Sequence, residues 1–270
     1  MTGMKLGIST AIFFPRLYTE DALDVIKQSG CTVAEVFLNT YSEYGSDFTA
    51  LLNQRRGALE VHSVHSLSNS YEPELFNRNP RVYNDASKLL NKVLAAGKAM
   101  GAKNYTFHGP PRLKKVPYNF DYGYIAECLN RLAGEAKPYG MNIAYENVHW
   151  CFFSTPDYFA NLKDKCPDLK ATLDIKQAIL GGVPVGEFID AMGDRIETVH
   201  ICDIYDKNKT ALPGRGEIDF SSLFKSLKKA NYGGPVILEV YSKDYDDFKE
   251  VFDCCDYVRG IMRKEGVLTE

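Results

Sequence analysis

Apolar residues along this chain fall into two alternating patterns. Short runs rich in Val, Ile, Tyr and Phe are followed by longer stretches in which apolar positions return every three or four residues. The first pattern fits buried strands and the second fits amphipathic helices. Strands are predicted at about 5–10, 33–39, 59–67, 104–109, 142–148, 170–176, 196–205 and 235–241. Helices are predicted at about 19–29, 47–56, 80–101, 119–139, 156–164, 184–193, 219–230 and 244–264. Thr19, Thr155-Pro156 and Asp219 are helix-start signals, and Gly101, Gly140 and Gly233 stand where helices should end. Eight strand–helix units without a break in composition predict an α/β protein, one closed (β/α)8 barrel spanning 1–270 as a single domain. A doubly wound open sheet is the alternative, but the chain has no GxGxxG after a strand and no Walker lysine.

A barrel of this kind places its active site at the carboxyl ends of its strands, whatever the chemistry. Six acidic or histidine residues lie near such ends: His65 in VHSVHSL, His108 in NYTFHG, Glu146 in NIAYENV, Asp174 in KATLDIK, His200 in ETVHICD and Glu239 in PVILEVY. Residues two apart on a strand share a face. Thr106 therefore goes with His108, Ala144 with Glu146, Thr172 with Asp174, Thr198 with His200 and Ile237 with Glu239. Four of these five partners are small, which leaves room beneath an inward polar layer. Charged and imidazole groups stay in buried strands when they are paired or bind a metal. Any one of the six could be a salt-bridged strand-end residue, but six at one depth point to a metal site and so to an enzyme. His62 is one residue off the inward parity of His65 and is expected to pack outward. His149, just past the fifth strand, is expected to be a loop residue without a role.

Net charge is −3, which gives no basic footprint, so a nucleic-acid partner is not expected. No apolar run approaches the roughly 18 residues of a membrane span, and MTGMKLGIST lacks a signal-peptide pattern. The seven cysteines form no CxxC pair, which fits reduced thiols and a cytoplasmic location. The adjacent Cys254 and Cys255 are read as helix packing residues.

SVHS at the third strand, FHG at the fourth, YEN at the fifth, LDI at the sixth, VHICD at the seventh, PGRGEIDF after it and LEV at the eighth form an ordered series. In this order and spacing the sequence resembles, over essentially its whole length, the xylose-isomerase-like TIM-barrel superfamily. That group includes sugar (phosphate) isomerases, ketose 3-epimerases, inosose dehydratases and metal-dependent apurinic endonucleases. The resemblance implies that Glu146, Asp174, His200 and Glu239 are central metal ligands. Three carboxylates and one imidazole suit Mn2+, Mg2+ or Co2+, and also admit Zn2+. The resemblance also matches His65 and His108 to positions that supply a second metal, bridged by the strand-five glutamate, in the endonuclease branch. The pair would then either hold a second metal about 3.5–4 Å from the first, or hydrogen-bond a substrate hydroxyl or phosphate beside a single metal.

Two departures from the endonuclease pattern stand out. The fourth residue of DIKQ is Gln177 where that branch has histidine, and NKTALPGRG lacks its Asp-x-His pair. A third metal is therefore not expected. Gln177 is a candidate donor to a sugar oxygen, and Arg215 of PGRG either binds an anionic group or pairs with Glu217. Phe13, Phe14, Trp150, Phe152 and Phe153 follow strands one and five, and Phe14 and Trp150 are candidates for covering a sugar's C–H faces. The resulting expectation is a metal-dependent isomerase or epimerase of a sugar or sugar phosphate working through an enediolate, with Glu146 and Glu239 as the acid–base pair. A dinuclear hydrolase or a lyase of the same superfamily is the alternative. The expected partner is a small-molecule sugar, and a homo-oligomer is left open.

Overall fold

The computed structural model describes residues 3–113, 118–206 and 208–269. Eight parallel strands close into a barrel: β1 (Lys5–Ser9), β2 (Val33–Leu38), β3 (Glu60–Ser66), β4 (Asn104–Phe107), β5 (Asn142–Glu146), β6 (Lys170–Asp174), β7 (Ile196–Ile201) and β10 (Pro235–Leu238), with β10 hydrogen-bonded to both β7 and β1. The helices are α1 (Thr19–Gln28), α2 (Ser46–Arg56), α3 (Pro80–Met100), α4 (Tyr122–Ala136), α5 (Pro156–Lys163), α6 (Ile175–Leu180), α7 (Val185–Met192), α8 (Phe220–Lys229) and α9 (Phe248–Lys264). Apart from α2, which buries only Thr49 and Leu52, and short α6, the helices turn an apolar stripe to the barrel; α3, for example, buries Leu90, Val93, Leu94 and Met100. Gly97 lets α3 approach closely, since a Cβ there would lie 2.6 Å from Met141 Cε. Cys254 and Cys255 are buried on α9. Among the described residues no helix is long and apolar enough to cross a membrane.

Several local expectations are corrected. The strand expected over 196–205 ends at Ile201; Asp203–Tyr205 (β8) then pairs antiparallel with Lys209–Ala211 (β9) in a hairpin outside the barrel. The strand expected over 170–176 stops at Asp174, whose Oδ1 accepts the backbone N–H of Gln177 and starts α6. Thr19 is the first residue of α1 and not its cap; its hydroxyl donates to the Phe37 carbonyl. Gly101 and Gly140 do take the left-handed conformation at helix ends. After α8 that conformation falls on Asn231, not Gly233.

One irregularity changes which residues face inward. The β2–β3 register shifts between Ala34 and Glu35, so that Val61 and Ser63 both find partners and His62 is the extra residue of a bulge. His62, expected to face outward, instead crosses the barrel floor. Its Nε2 lies 3.0 Å from the Glu197 carbonyl and 3.0 Å from Thr198 Oγ1 of β7.

Candidate metal centre and active-site cavity

The residues at the carboxyl ends of the strands converge. Glu146, Asp174, His200 and Glu239 each bring a ligand-type atom to a common point, all within 4.8 Å of one another, and His65, His108 and Glu146 form a second such group. Strand pairing explains the meeting: Asp174 is level with His200 across β6–β7, and His200 with Ile237 across β7–β10, two residues before Glu239. Glu146 belongs to both groups, its Oε1 3.2 Å from His200 Nδ1 and its Oε2 2.7 Å from His108 Nε2. Glu239 Oε2 is 3.5 Å from the same His200 nitrogen.

Water is largely excluded from this layer, so its charges act on one another strongly. Burial opposes charge on His200, but Glu35, Glu239 and Glu146 outweigh it and hold the imidazolium well above its usual range. Burial likewise opposes charge on His108, and the Glu146 carboxylate prevails, raising it to about 9. His65 goes the other way, to about 4, through burial and the neighbouring His108 charge. Burial pushes Asp174 up to about 7, with Glu146 and Glu239 adding to the shift against the attraction of Lys176. Burial would also raise Glu239, but Lys176 and His200 hold it below the usual carboxylate range.

Two buried oxygens in the cluster, Glu146 Oε2 and Asp174 Oδ2, have no hydrogen-bond partner among the described residues. Glu146 Oε2 lies close to the His108 nitrogen but outside hydrogen-bond alignment. What faces them is charge at ion-pair range, His108 for Glu146 and Lys176 for Asp174, which offsets the negative charge gathered here only in part. A divalent cation taking Glu146, Asp174, His200 and Glu239 as ligands satisfies them, and the donor set is of the right type. The chain's residues fit such a cation.

The histidines differ in what stands behind them. His200 Nε2 faces the Glu35 carboxylate at 3.2 Å, an acceptor. His65 Nδ1 instead accepts the Ser66 backbone N–H at 2.9 Å, and His108 Nδ1 faces the Asn69 amide nitrogen at 3.0 Å. A ring that accepts on one nitrogen carries its proton on the other. His65 is therefore set to present an N–H donor, and His108, held toward its charged form by Glu146, presents one as well.

Above the cluster opens a cavity of about 380 Å3, lined by His65, His108, Glu146, Lys176, Gln177 and Glu239 and rimmed by Phe14, Trp150 and Tyr241. Trp150 stands edge-on to His108, ring centroids 5.9 Å apart. The five aromatics expected at the rim divide. Phe14 and Trp150 reach the cavity, whereas Phe13 and Phe153 are fully buried and Phe152 packs on Tyr118 and Phe120. Gln177 lines the cavity with its carbonyl oxygen 2.5 Å from His149 Nδ1, which leaves the amide NH2 for a ligand. His149, expected to have no role, thus orients Gln177.

The family described as xylose isomerase-like TIM barrel matches residues 23–256. The chain belongs to that family. Within it, the chain is 22% identical to the inosose dehydratase of Clostridium perfringens over 88% of this chain and 90% of the relative. It is 35% identical to the L-ribulose-5-phosphate 3-epimerase UlaE of Shigella flexneri, over 27% of this chain and 26% of the relative. D-psicose 3-epimerase from Clostridium cellulolyticum H10, solved with D-tagatose, shares the fold with a TM-score of 0.79 at 16% identity, covering 96% of this chain and 99% of its own.

Within this xylose isomerase-like barrel the PGRG turn is structural. Asp203 Oδ2 accepts the backbone N–H groups of Gly214 and Gly216 at 2.9 Å each, and Oδ1 accepts those of Ile204 and Ile218. Gly216 is required there, because a Cβ would lie 2.3 Å from Asp203 Oδ1. The turn carries Arg215 away from the cavity, to an ion pair with Glu250 at 2.5 Å. Its ion-pair partner is thus Glu250 and not the expected Glu217, and it does not line the cavity. The cation in the cavity is Lys176, unremarked in the sequence, with Nζ 3.0 Å from Glu239 Oε2, 3.5 Å from Asp174 Oδ2 and 5.0 Å from the Tyr241 ring. Two more buried carboxylates escaped the sequence reading. Glu35 sits beneath His200, and Glu72 accepts the Tyr105 hydroxyl and the backbone N–H groups of His108 and Gly109.

Proposed function

We propose that this barrel is a sugar isomerase or epimerase dependent on one divalent cation, held by Glu146, Asp174, His200 and Glu239. The observation that carries the reading is the pair of carboxylates Glu146, at the end of β5, and Glu239, just past β10, both reaching His200 Nδ1 at the floor of one cavity. The epimerases among its relatives and structural neighbours support it. When bound, the cation polarises a carbonyl oxygen and stabilises negative charge developing there.

Everything else falls to the chain. Glu239, kept ionised by Lys176 and His200, takes the proton from the carbon beside the carbonyl. Glu146, protonated at the start of the turnover, delivers its own proton to the opposite face of the enediolate and is left ionised, and exchange with solvent resets the pair; in the reverse direction the two exchange roles. His65, His108 and the Gln177 amide donate to sugar hydroxyls, consistent with the polarity of the groups behind the rings. Phe14, Trp150 and Tyr241 cover apolar C–H faces and exclude water.

A second reading, a dinuclear hydrolase or lyase, is favoured by the His65–His108–Glu146 group and by the dehydratase relative. The N–H groups that stand behind His65 and His108, where His200 has a carboxylate, weigh against it. The deciding experiment screens ketoses and ketose phosphates in deuterium oxide with protein loaded with Mn2+ or Co2+. Deuterium at the carbon next to the carbonyl of recovered sugar is the expected outcome. Conversion without exchange, loss of water from an inosose, or metal-dependent incision of an abasic duplex would replace the epimerase reading.

A further inference from the structure

We infer that Glu35 is the positioning residue that makes His200 a metal ligand through Nδ1. The inference rests on the proposed cation site and concerns a residue that touches neither cation nor substrate. Glu35 lies in the middle of β2, fully buried below the donor cluster. An ionised carboxylate at such a depth is costly unless donors surround it. Here four groups do. Oε2 accepts the hydroxyls of Ser63 and Thr106 at 2.8 Å each and faces His200 Nε2 at 3.2 Å, while Oε1 accepts the Ser9 hydroxyl at 3.3 Å. The donors come from β1, β3, β4 and β7, so one carboxylate is tied to four strands besides its own.

An imidazole has one proton to place when neutral, and the group behind it decides where. A carboxylate accepts only, so Nε2 keeps its proton and the lone pair is left on Nδ1. Nδ1 is the nitrogen turned to Glu146 Oε1 and Glu239 Oε2. The three hydroxyls also fix the carboxylate, and hence the plane and tilt of the ring. A carboxylate behind a ligating histidine orients it and raises its donor strength. The contrast with His65 and His108, which have N–H groups behind them, shows that the arrangement is specific to His200.

The test compares wild type with Glu35→Gln, which preserves size but can offer an amide N–H to Nε2. Zinc affinity is measured by chelator competition, and the zinc-loaded proteins are examined by 15N NMR with labelled histidine. Glu35→Gln should bind zinc roughly 10- to 100-fold more weakly, the usual effect of removing such a partner. Far-UV circular dichroism of the two chelator-treated proteins at the assay temperature should coincide, so that the lost zinc affinity is read from folded chains. In zinc-loaded wild type, the His200 proton should sit on Nε2. Zinc affinity within twofold of wild type in Glu35→Gln overturns the inference. So does a His200 proton on Nδ1 in wild type, a result that needs no variant to fold. Wild type that takes up no cation at all removes the proposed site itself, and this inference with it.

Discussion

Asp174 and Gln177 are joined by a 3.0 Å hydrogen bond from the Gln177 backbone N–H to Asp174 Oδ1. The bond starts α6 and commits one carboxylate oxygen to the backbone, so that Oδ2 alone remains for the donor cluster. Replacing Asp174 with Ala therefore removes a helix cap and a ligand together. Asp174→Ala should lose about 1 kcal/mol of stability through the cap and should fail to retain Mn2+, Co2+ or Zn2+ after gel filtration, as read by elemental analysis. Retention of cation at the wild-type level would show that Asp174 is not a ligand.

His65 and His108 should behave differently from Asp174. With N–H groups behind both rings and no carboxylate to make either a strong ligand, His65→Gln and His108→Gln should keep one cation per chain. Their defect should appear as weaker substrate binding or slower turnover. A drop from two bound cations to one in either variant would reinstate the dinuclear reading.

Glu146→Gln and Glu239→Gln each keep the shape and one oxygen of the side chain but lose the titratable group. Turnover should fall roughly 10²–10⁴-fold, the usual contribution of a general acid or base. Cation occupancy is measured in the same samples, since loss of a charged ligand weakens metal binding as well. Solvent deuterium exchange should fall in parallel. Wild-type turnover in a fully metallated Gln variant would withdraw the acid–base role from that residue.

Glu72 gives stability a pH dependence. Burial raises its carboxyl to about 7 from 4.5, against the opposing pull of His108, Tyr105 and two backbone N–H groups. The folded pKa lies above the unfolded one, so this contribution is fully present below about 4.5 and is lost as pH rises through about 7. The loss is at most about 3 kcal/mol. Urea unfolding of chelator-treated wild type and Glu72→Gln at pH 5 and pH 8 should show the wild type losing ground to the variant at the higher pH. Parallel curves would mean that Glu72 is ionised throughout.

The sequence disclosed the barrel and the six residues at its strand ends because both depend on local pattern. Apolar runs mark strands directly, and alternation carries each polar residue to a known face. What it concealed has specific causes. At six residues α6 is too short to show a helical period, although Asp174 followed three positions later by Gln177 is a capping pattern that signals its start. Apolar Cys202 joined β7 to β8 in one apparent strand. The bulge at His62 added a residue that strict alternation cannot count. Glu35 was passed over because it lies mid-strand, and a search of strand ends does not reach the layer beneath. Arg215 seemed close to the site by motif, but the Asp203 turn that displaces it is a matter of backbone geometry alone.

The two glutamates do not have equivalent neighbours. Glu146 Oε2 looks toward an imidazole beside an indole wall, while Glu239 Oε2 looks toward the ammonium of Lys176. The cavity is thus chiral in its proton chemistry, not only in its shape. In the proposed reaction, traffic in one direction would draw its proton toward the ammonium side, and the return journey would draw it toward the imidazole side. Because the interconversion takes up no net proton, forward and reverse kcat/KM must share one pH profile, and the asymmetry should appear only in kcat, whose pH profile reports the bound complex and should differ between the two sugars.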